Sequence, residues 1–149
     1  CVDFQISKLI VLNSSVKEEG WGKISSDALD WLEKILSNSV TDTNILALHP
    51  PPVRCFSEVM DNIALKNPDE LEELLLFHKN VQLIICGHVH RSIFTSFAQS
   101  QITFCPSAAF QYPIFKERDK SIQTGEQPGF HVQKFKKKFG WSKHLRSIK

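Results

Sequence analysis

The segment 81–91, Val-Gln-Leu-Ile-Ile-Cys-Gly-His-Val-His-Arg, constrains the fold more than any other part of this sequence. Its first part, Val81–Cys86, is apolar except for Gln82 and rich in β-branched residues. A run of this length and composition predicts a strand buried on both faces, central in a sheet. The strand is predicted to end at Gly87, where the chain can turn without the penalty of a Cβ atom.

Two histidines, His88 and His90, follow this strand directly. In an extended segment, a spacing of two places both rings on one side of the chain. Two imidazoles at the end of a central strand can share one metal ion or bind two adjacent ions. The alternative is that both are ordinary loop histidines. A Gly-His-X-His sequence seldom arises by chance in a chain of this size, which favours the metal site.

A third candidate ligand, His49, also follows a short apolar strand, here over 44–48, and precedes three prolines that stiffen the next loop. Taken alone, it would more often be a structural histidine. Between the two strands, Asn67-Pro68 and the leucines after it predict a helix. Residues 44–88 therefore form a predicted right-handed βαβ crossover, and open α/β sheets place their sites at the carboxyl ends of such strands.

The rest of the chain predicts one α/β domain of 149 residues. A strand over 8–12 precedes a helix that Ser25 or Ser26 can cap. Beyond residue 91, two antiparallel hairpins are predicted over 92–104 and 130–148. The fold class is thus α/β with a mixed sheet, in which βαβ steps are followed by antiparallel strands.

Composition and cysteine spacing indicate whether the chain spans a membrane and in which compartment it resides. No stretch approaches eighteen consecutive apolar residues, which predicts no membrane-spanning helix. The four cysteines contain no CxxC pair, which indicates reduced thiols in a cytoplasmic protein. They are Cys1, Cys55, Cys86 and Cys105.

The C-terminal segment is basic and contains no acidic residue. It could bind phosphate or nucleic acid. We favour the alternative of a solvated hairpin that completes a sheet, with lysines outward and Phe135 and Trp141 inward, because edge strands often carry protective lysines. Its seven cationic residues are Lys134, Lys136, Lys137, Lys138, Lys143, Arg146 and Lys149.

Several short motifs together resemble the calcineurin-like metallophosphoesterases, most closely the bacterial 3′,5′-cyclic-AMP phosphodiesterase branch. The resemblance extends along essentially the whole chain, and the Gly-His-X-His element with an upstream His-X-Pro is its most specific part. The motifs are Asp30-Trp31-Leu32, Ala47-Leu48-His49-Pro50-Pro51, Cys86-Gly87-His88-Val89-His90, Pro106-Ser107 and Pro128-Gly129-Phe130.

The resemblance implies a β-sandwich flanked by helices, with two metal ions at its edge. His49 and His88 would bind one ion, and His90 the other. Imidazole ligands suit divalent Mn, Fe, Co or Zn. Arg91 would contact a phosphate oxygen, or be an ordinary surface arginine.

The family's other ligands come from Asp-X-His, Gly-Asp-X-X-Asp and Gly-Asn-His elements, and the last of these also supplies its general acid. None of these elements occurs in this sequence. We therefore expect residues 1–149 to be the C-terminal portion of one such domain, inactive by itself. Two further departures concern the substrate: Pro50 stands where the branch usually has a second histidine, and Asn13 where an aspartate is common.

The function expected from the resemblance is metal-dependent hydrolysis of a small phosphodiester, with cyclic AMP the first candidate, and with no membrane or nucleic-acid partner. Two divalent ions can polarise phosphoryl oxygens and stabilise an in-line displacement. The alternatives are another phosphodiester or phosphomonoester, a non-catalytic binding domain that retains the fold, and an anion binder acting through the basic segment. The sequence leaves the oligomeric state open.

Overall fold

The computed structural model describes residues 1–4, 6–40, 43–113, 125–136 and 138–148. Lys137 and Lys149 of the basic segment lie outside these ranges. The helices are α1 (Ser26–Ser37), α2 (Glu58–Asn62) and α3 (Pro68–Leu76). The strands are β1 (Val2–Asp3), β2 (Lys8–Val11), β3 (Asn44–Leu48), β4 (Val81–Cys86), β5 (Ile93–Phe97), β6 (Ser100–Phe104), β7 (Gly129–Lys136) and β8 (Gly140–Ser147).

A six-stranded mixed sheet in the order β1-β2-β3-β4-β6-β5 organises the described part of the chain. β2, β3, β4 and β6 run parallel, and the edge strands β1 and β5 pair antiparallel with their neighbours. The predicted α/β class, the βαβ crossover and the β5–β6 hairpin are confirmed. One feature was not predicted: β6 lies beside β4 and parallel to it, so the hairpin extends the parallel core of the sheet.

One face of the sheet carries the hydrophobic core. Register aligns Ile10, Leu46, Ile84 and Ile102 across four neighbouring strands, and each of them is fully buried. Burying one such side chain contributes about 1.5–3 kcal/mol. Helices α1 and α3 contribute the buried leucines Leu32, Leu36, Leu71 and Leu75 to the same cluster.

The two long helices begin where the sequence predicts, but by different means. Ser25 caps α1, because its side-chain oxygen accepts a hydrogen bond from the amide of Ala28 at 3.2 Å. Asn67 occupies the cap position of α3, but its side chain makes no capping hydrogen bond. It is buried and instead accepts a hydrogen bond from the amide of Ile24 at 3.0 Å and donates one to its carbonyl at 2.9 Å. This residue thus ties the start of α3 to the segment before α1.

The C-terminal hairpin β7–β8 is a separate two-stranded sheet. Its predicted existence is confirmed, but the prediction that it completes a larger sheet is wrong, since among the described residues its strands pair only with each other. Its contacts with the main sheet are made by side chains: His131 lies 2.8 Å from the Ser92 hydroxyl. Phe135 and Trp141, predicted to point inward, are only half-buried and face each other with ring centroids 5.0 Å apart. Lys143, predicted to face solvent, is also half-buried and lies over the Phe94 ring. Within the described ranges, no helix is long and apolar enough to cross a membrane.

Candidate metal centre

The carboxyl ends of β3 and β4 bring His49 and His88 together. The two strands are parallel neighbours in which Leu48 pairs with Cys86, so the residues that follow them leave the sheet at the same edge. His88 Nδ1 lies 3.2 Å from His49 Nε2, and the ring planes are nearly perpendicular at 89°. Two histidines 39 positions apart in sequence thus lie within hydrogen-bonding distance of each other.

The turn after β4 differs from the prediction. Gly87 does not have a positive φ; the left-handed conformations fall on His88 (φ 77°) and His90 (φ 55°), so the segment is not extended. Non-glycine residues in this region carry a conformational cost and cluster at functional sites. Glycine at 87 has another effect, because a Cβ atom there would lie 3.0 Å from His49 Nδ1 and the ring would have to shift. The missing side chain gives the His49 ring its space.

His90 is oriented by the loop that follows β6. Its Nδ1 lies 3.1 Å from the carbonyl oxygen of Phe110, and its ring stacks on Tyr112 at a centroid distance of 5.0 Å. A carbonyl oxygen can only accept, so Nδ1 carries the proton of the neutral ring and Nε2 keeps a free lone pair. Metal-binding histidines commonly donate their second nitrogen to a carbonyl in this way.

Burial keeps the rings of His49 and His88 neutral. Burial, with a smaller contribution from His90, lowers the pKa of His49. Burial, followed by repulsion from His49 and His90, lowers the pKa of His88 to about 4. Both imidazoles are therefore uncharged at neutral pH, the form in which histidine binds metal ions.

The loop after β2 fixes the backbone of His49. The Ser14 hydroxyl donates to the His49 carbonyl at 2.8 Å, and the Asn13 side chain accepts from the amide of Ser15 at 3.1 Å. Gly22 lets the chain pass close by, since a Cβ atom there would lie 2.4 Å from Pro50 Cδ. Sequence reasoning missed the role of Ser14, whose only signal was its position after a predicted strand.

Arg91 is held by a carboxylate. Its Nη1 lies 2.6 Å from Glu126 Oε2, and the side chain is only 18% exposed. Sequence reasoning did not anticipate this partner, which stands 35 positions further along the chain. A phosphate contact by Arg91 would have to share the guanidinium with Glu126.

A cavity of about 520 Å³ opens beside this edge of the sheet. Residues of β2, β3 and β4, among them Val11, Ala47 and Ile85, line it together with His49 and Gly87. The site therefore lies where a parallel sheet is expected to bind ligands.

The separation of the His49 and His88 nitrogens, which is also that of a hydrogen bond, fits one shared divalent ion. An ion that binds two imidazole nitrogens at about 2.0–2.1 Å, with an angle between about 90° and 110°, holds those nitrogens roughly 2.8–3.4 Å apart. The observed 3.2 Å between His49 and His88 lies within this range. However, the part of the chain that the structure describes contains no group of three or more His, Cys, Asp or Glu side chains arranged for a metal ion.

Comparison with known proteins identifies one family and several relatives. A family model described as calcineurin-like phosphoesterase matches residues 6–92, more than half of the chain. A probable cyclic nucleotide phosphodiesterase of Rhodococcus erythropolis is 32% identical over 82% of this chain and 38% of its own length.

Two other relatives align over more of the chain. A 3′,5′-cyclic-nucleotide phosphodiesterase of Nostoc is 27% identical over 93% of this chain and 52% of its own. A probable glycerophosphodiester phosphodiesterase of Arcobacter nitrofigilis is 30% identical over 98% of this chain and 54% of its own. The chain thus spans between 38% and 54% of the length of these curated relatives.

Proposed function

Because the chain belongs to the calcineurin-like phosphoesterase family, we propose that it is the C-terminal portion of a metal-dependent phosphodiester hydrolase. A cyclic nucleotide, with cyclic AMP first, is the proposed substrate. The names of the Rhodococcus and Nostoc relatives support this substrate class. The carboxylate ligands and the general acid would come from sequence that these residues do not include.

The observation that carries the proposal is the 3.2 Å separation of His49 Nε2 and His88 Nδ1. These two residues would bind one divalent ion, and His90 would bind a second through Nε2. When bound, the two ions would supply Lewis-acid polarisation of the phosphoryl group and charge stabilisation in the transition state. The protein's own contribution is to hold neutral imidazoles in fixed orientations at one edge of the sheet.

Neutral histidines cannot balance the charge of two cations. A bridging carboxylate holds two ions close together and offsets their repulsion, and no such side chain lies with the histidines in the described part of the chain. This argues that the 149-residue chain binds one ion weakly and needs further acidic ligands for hydrolysis.

A second candidate substrate is a glycerophosphodiester, because the Arcobacter relative carries that name. Pro50 favours neither substrate, since it offers no polar side chain to either. A cytoplasmic location is part of the proposal and is supported by four free thiols. Disulfides form in oxidising compartments, so unpaired cysteines are typical of the cytoplasm.

Titration calorimetry of the chain with Mn²⁺ and Zn²⁺ tests the metal site. We expect about one ion per chain, and loss of binding in His49→Ala and in His88→Ala. His144→Ala is the matched control, because His144 is an exposed residue of β8. Equal affinity in His88→Ala and His144→Ala would overturn the proposed ligand set.

A further inference from the structure

The loop 105–113 holds the motif Pro106-Ser107, for which the proposed function gives no role. The loop follows β6 and returns past the metal centre, where the Phe110 carbonyl accepts the hydrogen bond from His90. Three groups hold the His90 ring: this carbonyl, the Phe110 ring at 4.8 Å and the Tyr112 ring at 5.0 Å between centroids. The orientation of His90 therefore depends on the conformation of the loop.

Two side chains fix that conformation. The Ser107 hydroxyl accepts hydrogen bonds from the amides of Ala109 at 3.0 Å and Phe110 at 3.3 Å. The Gln111 amide group donates to the Ser107 carbonyl at 2.8 Å and accepts from the Ser107 amide at 3.3 Å. We call this closed set of bonds the Ser107–Gln111 clasp.

The clasp is firmly anchored. Gln111 is only 3% exposed, and both polar atoms of its side chain are used within the loop. The amide of Gly129, at the start of β7, also donates to the Ser107 carbonyl at 2.9 Å. Breaking the clasp would leave buried polar groups without partners, which is unfavourable.

We propose that Ser107 and Gln111 are positioning residues, which aim the Phe110 carbonyl at His90 so that Nε2 is the nitrogen free for a metal ion. This inference rests on the proposed function only in assigning His90 to a metal; the geometry stands without it. Which nitrogen of a neutral imidazole carries the proton is set by the hydrogen bond that the other atoms of the site offer. Without the clasp, the carbonyl is no longer held at Nδ1 and the ring loses its single tautomer.

The tautomer can be read directly by two-bond ¹H–¹⁵N correlation spectra of the metal-free 149-residue chain, labelled at histidine, at about pH 9, where histidines are neutral. We expect His90 to show the pattern of a protonated Nδ1. In Gln111→Ala and Ser107→Ala the two ring ¹⁵N shifts should move toward each other as both tautomers become populated. Ser107→Thr keeps the hydroxyl and should restore the wild-type pattern.

The matched control is Gln101→Ala, which removes an exposed glutamine of β6. The His78 signals report folding, since that ring lies 2.6 Å from Glu33 Oε2 of α1 and contacts neither the loop nor β7. A His90 pattern that is unchanged in Gln111→Ala and Ser107→Ala, or a protonated Nε2 in the wild type, would overturn the clasp.

The outcome is separable from that of the proposed function. If the tautomer responds to Gln111 while His49 and His88 bind no ion, the metal assignment falls and the positioning of His90 stands. If an ion binds at His49 and His88 but the His90 tautomer is the same with and without the clasp, the metal assignment stands and the positioning of His90 falls.

Discussion

His88 is under the greatest constraint of any single residue in the site. It has a positive φ, its Nε2 is buried without a hydrogen-bond partner among the described residues, and its Nδ1 faces another imidazole. A buried polar atom without a partner costs about 1–3 kcal/mol. The positive φ is a form of backbone strain that clusters at functional sites.

The lowered pKa of His88 predicts loss of stability in acid. The folded ring has a pKa of about 4, below the ordinary 6.5, so the unfolded chain binds its proton first as pH falls. The stabilising contribution of the neutral ring is complete above about pH 6.5 and is lost as pH falls toward 4. We expect a loss on the order of 1–2 kcal/mol in urea unfolding of the metal-free chain, reduced in His88→Gln. An NMR titration midpoint for His88 near 6.5 would contradict this.

Gly87→Ala tests the close approach to His49. The new methyl would lie 3.0 Å from His49 Nδ1, so the ring must move by a few tenths of an ångström. We expect the metal affinity to fall about threefold to tenfold, equivalent to roughly 0.7–1.4 kcal/mol. Calorimetric titration with Zn²⁺ measures this.

Gly125→Ala is the control, since nothing lies within 4 Å of a Cβ atom at that position. If both alanine variants bind Zn²⁺ with the wild-type affinity, metal binding does not depend on the space that Gly87 leaves beside His49.

Among the elements, β3 and β4 position the candidate ligands His49 and His88. The hairpin β7–β8 determines how much of the sheet face that the helices leave open is covered. An isolated two-stranded hairpin is marginal in water, so the order of β7–β8 depends on its contacts with β5 and β6. These are the His131 bonds to Ser92 and Thr103, and Lys143 placed 5.1 Å from the ring centroid of Phe94.

Hydrogen exchange tests the docking of this hairpin. We expect its inter-strand amides to be protected, and His131→Ala to speed their exchange about tenfold or more while amides of β3 and β4 keep their rates. A tenfold change corresponds to about 1.4 kcal/mol, which is reasonable for two lost side-chain hydrogen bonds. His144→Ala, on the exposed side of β8, serves as the control. Exchange as fast as in an unfolded peptide over 130–148 in the wild type would refute the hairpin itself.

At the scale of the whole molecule, the sheet has one covered face and one partly open face. Val11 is 59% exposed on the open side, and the edge residues Val2, Phe4 and Ile6 are each more than half exposed. Large exposed apolar patches favour association, so we expect the 149-residue chain to be poorly soluble.

The incomplete set of metal ligands predicts that the chain has no activity by itself. We expect the chain by itself to release no nucleoside monophosphate from cyclic AMP above background with added Mn²⁺, because its histidines lack carboxylate co-ligands. A longer protein that contains this chain together with those ligands should hydrolyse the substrate and lose activity in His88→Ala and His90→Ala. Metal-dependent turnover by the purified chain, abolished by His88→Ala, would show that three histidines suffice.

The sequence by itself determined the two long helices and most of the strands. Hydrophobic periodicity is local, so the runs at 44–48 and 81–86 indicate β3 and β4 without any knowledge of their neighbours. Ser25 as a cap and Pro68 in a first helical turn are likewise effects of short range. The candidate ligands His49, His88 and His90 were recognisable because each follows a predicted strand.

Only the tertiary structure decided the distances and the supporting contacts. The pairing of β3 with β4 sets the 3.2 Å between two histidines, and the positive φ of His88 places its ring there. The insertion of β6 beside β4 brings the loop with Phe110 and Gln111 to His90. Register, side-chain burial and hydrogen-bond partners depend on chain segments far apart in sequence, and no local pattern encodes which of them will meet.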